Sequence, residues 1–402
     1  MRNLIIIFFF ITTRTLYGQW LQTNSPYSGT INCFTENGTN IFAGTKYGGV
    51  LLSTNNGGLW TAVNNGLTST NVLSLVVKDT NIFAGTWNGG VCLSTNNGGL
   101  WTAVNNGLTN NKVWSLTISG DSIYAGTESG GVYLSSNNGG LWTAINNGIP
   151  ANATVLTLAI SGTSIFAGTD SNGVYLSTNN GSLWTAINNG LPANVRVSAL
   201  AINGTNIFAG TDGGVFLSTD NGVSWTAMNN GLMGLGLEVN SIAISGTNIF
   251  IGTWDGSGGV YLTTNNGGLW TPMNNGLTVS VAYSLGVFGS NIFAGFWNGG
   301  GIWKRPLSQI TAIDKLTDEE TFSIYPNPSK SLIAIEFNMA ETKNTFIEIN
   351  NILGQTVKIF ENMALSTGQN KIEIDISEFS KGLYFVQLHI DNNVFRKKII
   401  KQ

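Results

Sequence analysis

The chain has 402 residues, of which 42% are hydrophobic and only 10% charged, against about 25% charged in an ordinary soluble protein. A packed core is within reach and wholesale disorder is excluded, while a net charge of −3 offers no basic field to nucleic acid. Two cysteines are too few for a zinc cluster or a disulfide scaffold. The charge is unevenly spread: residues 20–307 hold 15 charged side chains and residues 308–402 hold 22. That step places a domain boundary near residue 308.

Residues 1–18 open with Arg2, continue with an apolar run over 4–11 and end on Leu16-Tyr17-Gly18. This is the order of a secretory signal, with cleavage expected after Gly18. Eight apolar residues fall well short of the roughly 20 that a membrane-spanning helix needs. No other segment has that length, so no transmembrane segment is expected in the mature chain.

Residues 19–307 repeat. Trp20, Trp60, Trp101, Trp142, Trp184, Trp225 and Trp270 recur at spacings of 40, 41, 41, 42, 41 and 45. The aromatic of the IFAGT segment recurs independently at Phe42, Phe83, Tyr124, Phe166, Phe208, Phe250 and Phe293. Each unit holds four short apolar runs separated by Asn, Asp and Gly, as at 72–77, 81–86, 90–94 and 100–104. Such runs read as strands joined by tight turns, and four antiparallel strands in about 41 residues is the size of a propeller blade. The seventh unit stops after its third run, and the chain begins with the missing piece, Trp20-Leu21-Gln22-Thr23-Asn24. The expectation is therefore an all-β, seven-bladed β-propeller closed by its N-terminal strand.

The turn before each tryptophan reads Ser53-Thr54-Asn55-Asn56-Gly57-Gly58-Leu59-Trp60, and in the fifth unit Ser218-Thr219-Asp220-Asn221-Gly222-Val223-Ser224-Trp225. This resembles the Asp-box of sialidase-type (BNR-like) propellers and their non-enzymatic relatives. Only Asp220 keeps the acid; Asn55, Asn96, Asn137, Asn179 and Asn265 replace it, and Asn can form the same side-chain-to-backbone turn. The box reads as a folding device. The resemblance implies a sialidase only with a cluster of three arginines on the propeller; this one has Arg196, plus Arg305 at its end, so an anionic sugar has no clamp. Relatives that degrade xyloglucan set two propellers across a cleft, and this chain has one.

A glycosidase needs two carboxylates about 5–9.5 Å apart. Of the acids here, Asp79, Asp121 and Asp220 fall in first or third turns, on one face. Glu128, Asp170, Asp212 and Asp255 fall in second turns on the other, with Glu238 beside them. The lone His389 lies outside the propeller, so no metal set or nucleophilic triad assembles there. Cys33 and Cys92 read as packing thiols. No cofactor is expected.

The units differ most at the start of the second turn. Tyr47, Trp87, Trp254 and Trp297 lie on units one, two, six and seven, which become contiguous once the ring closes; Glu128, Asp170 and Asp212 lie on units three to five. One face is thus expected to carry an aromatic arc opposite an acidic arc, suited to sugar rings or to a protein partner. The most irregular connectors, 233–238 and 192–196, join this face.

Beyond a linker at 308–321, apolar and polar residues alternate at 333–337, 371–376 and 383–390, as in strands with one wet face. Hairpin signals at 351–354 and 391–393 complete roughly seven strands, the pattern of a small Ig-like sandwich over 322–402. Four motifs stand in order: Tyr325-Pro326-Asn327-Pro328; Asn351-Ile352-Leu353-Gly354-Gln355; Lys381-Gly382-Leu383-Tyr384-Phe385-Val386; and the basic end Arg396-Lys397-Lys398-Ile399-Ile400-Lys401. Together these resemble the type A C-terminal sorting domain of the type IX secretion system of Bacteroidetes. The resemblance implies the type IX secretion machinery as a partner, recognising Tyr325, Pro326, Asn327, Pro328, Gly354, Gly382, Tyr384, Lys397 and Lys398. It also implies a protein that is secreted or held at the outer-membrane surface. The leading expectation is a non-catalytic binding or adhesion propeller whose ligand is a glycan or a protein. A glycoside hydrolase or lyase using Asp or Glu of the variable face is the alternative, and a passive spacer a third reading.

Overall fold

The computed structural model describes residues 19–232, 237–254, 258–310, 322–339, 344–351, 356–364, 367–390 and 393–402. The leader expected at 1–18 lies outside them, as do most of the expected linker, Asp255 and Gly354. The chain divides into two compact units between Gln309 and Ile310.

Among the described residues the first unit holds seven four-stranded antiparallel sheets. In the second sheet the strands are Val72–Lys78, Asn81–Thr86, Val91–Ser94 and Thr102–Ala103, in that order. The last sheet takes Ala282–Phe288, Asn291–Phe296 and Ile302–Pro306 from the end of the unit. Its fourth strand is Leu21–Gln22 from the beginning, antiparallel with Leu21 opposite Lys304 and Gln22 opposite Trp303. The first strands stand side by side in chain order, and Ala282–Phe288 returns to Ile31–Asn37, where Ser284 Oγ donates to the Ile31 carbonyl at 2.8 Å. The circuit closes. Glycine in the second strand permits the close approach: a Cβ on Gly85 would lie 2.8 Å from Val113 Cγ1 of the next sheet.

The repeated tryptophan explains the period. Each indole is buried, and its N–H crosses to the end of the preceding sheet: Trp101 Nε1 to the Val63 carbonyl, Trp142 to Val104 and Trp184 to Ile145, each at 2.7 Å. Where the chain ends meet, Trp20 Nε1 donates to Met273 O and Trp60 Nε1 to Thr23 Oγ1. Thr23 follows Leu21–Gln22 as Val63 follows Thr61–Ala62, so the N-terminal strand stands in register as a fourth strand. Burying 150–250 Å² of indole stabilises by roughly 4–6 kcal/mol on area alone.

The turn before each tryptophan is held by side chains. Ser53 Oγ donates to Asn55 Oδ1 and accepts from Gly57 N, and Asn55 Oδ1 accepts from Leu59 N at 2.8 Å. Asp220 does the same in the fifth unit and also accepts from Ser224 Oγ at 2.6 Å. These bonds, led by those from Ser224, pull its carboxyl from the ordinary 3.8 to about 2. The recurring Asn-Asn-Gly is equally structural. Asn105 accepts from Val91 N and donates to Gly89 O, pinning the second turn of its own sheet; Asn106 donates to Gly140 O of the next unit. Burial pushes the Cys33 thiol up to about 12, an inert packing group.

The second unit pairs a three-stranded sheet (Ser323–Tyr325, Leu332–Met339, Gly368–Asp375) with a four-stranded one ordered Thr356–Ala364, Asn344–Asn351, Gly382–Ile390, Asn393–Lys401. Ile333, Ile335, Ile347, Ile349, Val386 and Leu388 belong to their shared core, where alternate residues of half-wet strands belong. The first residues of the expected linker, 308–310, form a helical turn whose Ile310 is fully buried. One apolar side chain in a polar stretch carries no periodicity, so the sequence reading missed it.

Two outcomes follow. Trp20→Ala should destabilise the first unit by about 3–5 kcal/mol, as much as Trp101→Ala, in denaturant unfolding; a silent Trp20→Ala would mean that the N-terminal strand does not close the ring. Asp220→Asn should leave stability at pH 7 nearly unchanged, because five other turns already use Asn. The wild-type turn contributes fully above the unfolded carboxyl value of 3.8 and loses that contribution as pH falls through about 2. Thermal melts of wild type should therefore fall between pH 4 and 2 more steeply than those of Asp220→Asn.

Candidate functional site

The second turns share one frame. Their first residue donates its backbone N–H to the residue just ahead of the innermost strand: Lys46 to Thr30, Trp87 to Asn71, Glu128 to Lys112, Asp170 to Thr154, Trp254 to Glu238 and Trp297 to Val281. The backbone is fixed while the side chain is free to vary, and every variable side chain stands at the inner rim of the ring.

The aromatic residues form two groups on this rim. Trp254 lies edge-on to Trp297, with centroids 4.6 Å apart, and both contact Tyr283 at 6.3 and 5.6 Å. The Lys46 ammonium sits 4.7 Å from the Trp297 ring and 5.5 Å from Tyr47. Tyr47 is the second residue of its turn; it adopts φ 80° and turns its ring outward, 68% exposed. A positive φ is uncommon for a bulky residue and costs energy to hold. In the second group Trp87 meets Trp114 edge-on at 5.5 Å, and Lys112 caps the Trp87 face at 3.1 Å.

Most acids of the same rim are paired. Glu128 is ion-paired with Lys112. Arg196 Nε lies 3.3 Å from Asp170, and Arg196 NH1 3.1 Å from Glu238. Asp212 is exposed. The connectors ahead of the innermost strands supply the cations, and because they are distant in sequence from the acids, turn-by-turn reading did not pair them.

Sequence reasoning also missed the innermost ring. Each first strand carries a β-bulge at its second residue, a device that re-aims one side chain. The bulged residues are Leu73, Trp114 and Leu156 on one side and Ser198, Asn240, Tyr283 and Asn32 on the other. Together with Arg196 they line a cavity of about 90 Å³ at the axis. Trp114 Nε1, Arg196 Nε, Ser198 Oγ and Asn240 Nδ2 are buried there without a hydrogen-bond partner, and burial pushes the Tyr283 phenol up. A signal was present: the preceding residue is nearly constant (Ile31, Val72, Val113, Val155, Val197, Val239, Ala282), while the bulged position changes in almost every unit. Among the described residues no three His, Cys, Asp or Glu are grouped to hold a metal, and no helix is long and apolar enough to cross a membrane.

In the second unit the motifs at the two ends of the domain converge. Asn327 Nδ2 donates to Lys398 O at 2.8 Å, and Asn327 Oδ1 accepts from Ile400 N at 2.9 Å. This side-chain amide imitates a peptide along the outer edge of Asn393–Lys401, where Ser329 continues the pairing with Ile400 and Gln402. On its inner side that strand pairs with Gly382–Ile390, Gly382 opposite Lys401, Tyr384 opposite Ile399 and Val386 opposite Lys397. Pro326, Pro328 and Lys398 are exposed, and Tyr325 binds the Glu336 carboxylate with its ring in solvent. Tyr384 is buried, with its hydroxyl on Ser380 O, and Lys397 packs over Phe322.

Residues 323–402 match the family described as the secretion system C-terminal sorting domain. The chain thus carries a type IX sorting domain, the tail of a secreted or cell-surface protein. No curated protein sequence matches the chain. Among solved structures it is similar to PorZ, a surface component of the type-IX secretion system of Porphyromonas gingivalis, at 13% identity and a TM-score of 0.56, covering 94% of this chain and 60% of PorZ. It is similar to a GH74 xyloglucanase from Xanthomonas campestris at 14% and 0.57, covering 80% and 59%. It is also similar to YCF48 from Cyanidioschyzon merolae at 15% and 0.56, covering 72% and 98%. The chain spans about three fifths of the first two. At these identities the likeness shows the fold alone, a β-propeller.

Proposed function

We propose that the chain is a secreted or surface-displayed, non-catalytic binding protein. Its first unit is a seven-bladed propeller of Asp-box type. Its second is an Ig-like sandwich that the type IX machinery reads through the joined surface of Asn327, Lys398 and the strand Gly382–Ile390. The ligand, a glycan or a protein, docks on the second-turn face. The observation that carries this reading is the convergence of Trp87, Trp254, Trp297 and the axial bulge residues on one rim of a rigid ring. Partly exposed indoles beside amides and hydroxyls suit sugar rings, which offer apolar C–H faces and a belt of hydroxyls. A glycosidase would need two carboxylates facing a substrate, whereas Asp170 and Glu238 both engage Arg196. Fold neighbours include a xyloglucanase and YCF48, solved with a D1 peptide, so the fold hosts both kinds of ligand.

Replacing Trp87, Trp254 and Trp297 together by Ala should weaken binding at least tenfold on an array of glycans and extracellular proteins, with the melting temperature of the propeller little changed. Unchanged binding by a folded variant removes the rim as a site. A chain lacking residues 381–402 should remain inside the outer membrane, as scored by protease accessibility on whole cells; normal surface delivery would overturn the sorting role.

A further inference from the structure

We propose that the axial cavity is an acetamido subsite, so that the glycan taken by the second-turn face is a neutral N-acetylated one. This rests on the binding role given to that face above and specifies its ligand.

Three observations converge. The cavity, at about 90 Å³, lies well below the 300–1,000 Å³ of whole-ligand pockets, so it holds a functional group while the remainder of the ligand lies on the rim. Its lining is divided. Leu73, Trp114 and Leu156 follow one another around one side of the bulge ring, and Ser198, Asn240 and Tyr283 follow around the next. The unpartnered atoms can all donate: an indole N–H, a hydroxyl, an amide NH₂ and the Nε–H of Arg196. A buried donor without a partner costs about 1–3 kcal/mol, and four around one cavity ask for an acceptor oxygen.

Charge narrows the class. The charge of the Arg196 guanidinium is already balanced by two carboxylates, Asp170 and Glu238, and that of Lys112 by Glu128. No uncompensated cation faces the cavity among the described residues, so a carboxylate, sulfate or phosphate gains nothing there. The group that fits is small and neutral, with an acceptor at one end and a methyl at the other. An acetamido group has this form: its carbonyl turns to Ser198 and Asn240, and its methyl lies against Leu73 and Leu156. The pyranose that bears it then rests at the mouth, where Trp114 continues to Trp87 and Tyr283 to Trp254 and Trp297.

The test compares two disaccharides with the same β-1,4 linkage, N,N′-diacetylchitobiose and cellobiose, titrated calorimetrically into the full chain. The acetylated sugar should bind at least about tenfold more tightly, the worth of one hydrogen bond with a buried methyl. Ser198→Ala combined with Asn240→Leu should erase that difference. Leu156→Phe, which fills the cavity from its apolar side, should erase it too and guards against misfolding of the double variant. Trp254→Ala should weaken both sugars alike. Equal binding of the two disaccharides by wild type, or a preference that survives both cavity variants, overturns the acetamido subsite while leaving the face as a binding surface. Failure of both sugars to bind a folded chain overturns the subsite, and loss of all ligands from the wider array overturns the face itself.

Discussion

The bond from each indole N–H to the preceding sheet is the constraint on which the rest of the first unit depends. A four-stranded sheet of about 41 residues cannot bury both faces alone, and its outer strand here is only two residues long. The tryptophan that precedes this short strand fills the gap between neighbouring sheets and fixes their spacing through one directional bond. Because every sheet uses the same contact, the error allowed per sheet is small, and the circuit can close where Trp20 and Trp60 bring the two ends together. The Ser-Asn-Gly turn and the Asn-Asn-Gly corner hold that indole in place, which is why they hardly change from unit to unit.

This division of labour explains what could be read from the sequence. The period, the strand runs and the complementing N-terminal piece are properties of single positions repeated seven times, and repetition separates them from noise. The tight turn was legible because Asp220 and its five Asn counterparts do one chemical job with two residue types. The rim was legible only in part. Trp254 and Trp297 are neighbours because consecutive sheets stand side by side, a relation the spacing already contains. The pairing of Glu128 with Lys112, and of Asp170 and Glu238 with Arg196, depends on connectors that do not repeat. The bulge ring was hidden for a different reason: a bulge shifts register by one residue, so Trp114 and Tyr283 look in sequence like outward positions of an ordinary strand.

The second unit shows the same limit in another form. Alternation located its strands, yet the joining of Tyr325-Pro326-Asn327-Pro328 to the C-terminal strand spans some 70 residues and rests on one amide side chain, Asn327, that supplies both halves of a peptide-like pair. An edge strand left bare is a template for unwanted pairing. Here the motif shields part of that edge while leaving Lys398 and the two prolines in solvent, so the recognition surface proposed above shares its residues with an edge guard.

Low charge, the oddest number in the composition, follows from the ring. Sheets packed face to face around an axis leave little wet surface for Lys and Glu, and Asn and Gly turns carry out the hydrogen bonding that charged loops perform elsewhere. Most of the described charges on the second-turn face are paired, Lys112 with Glu128 and Arg196 with Asp170 and Glu238, while Lys46 lies over the Trp297 ring and Asp212 is exposed. The face also offers shape, indole surface and a handful of unpaired donors at the axis, the features on which the proposed binding of a neutral ligand rests.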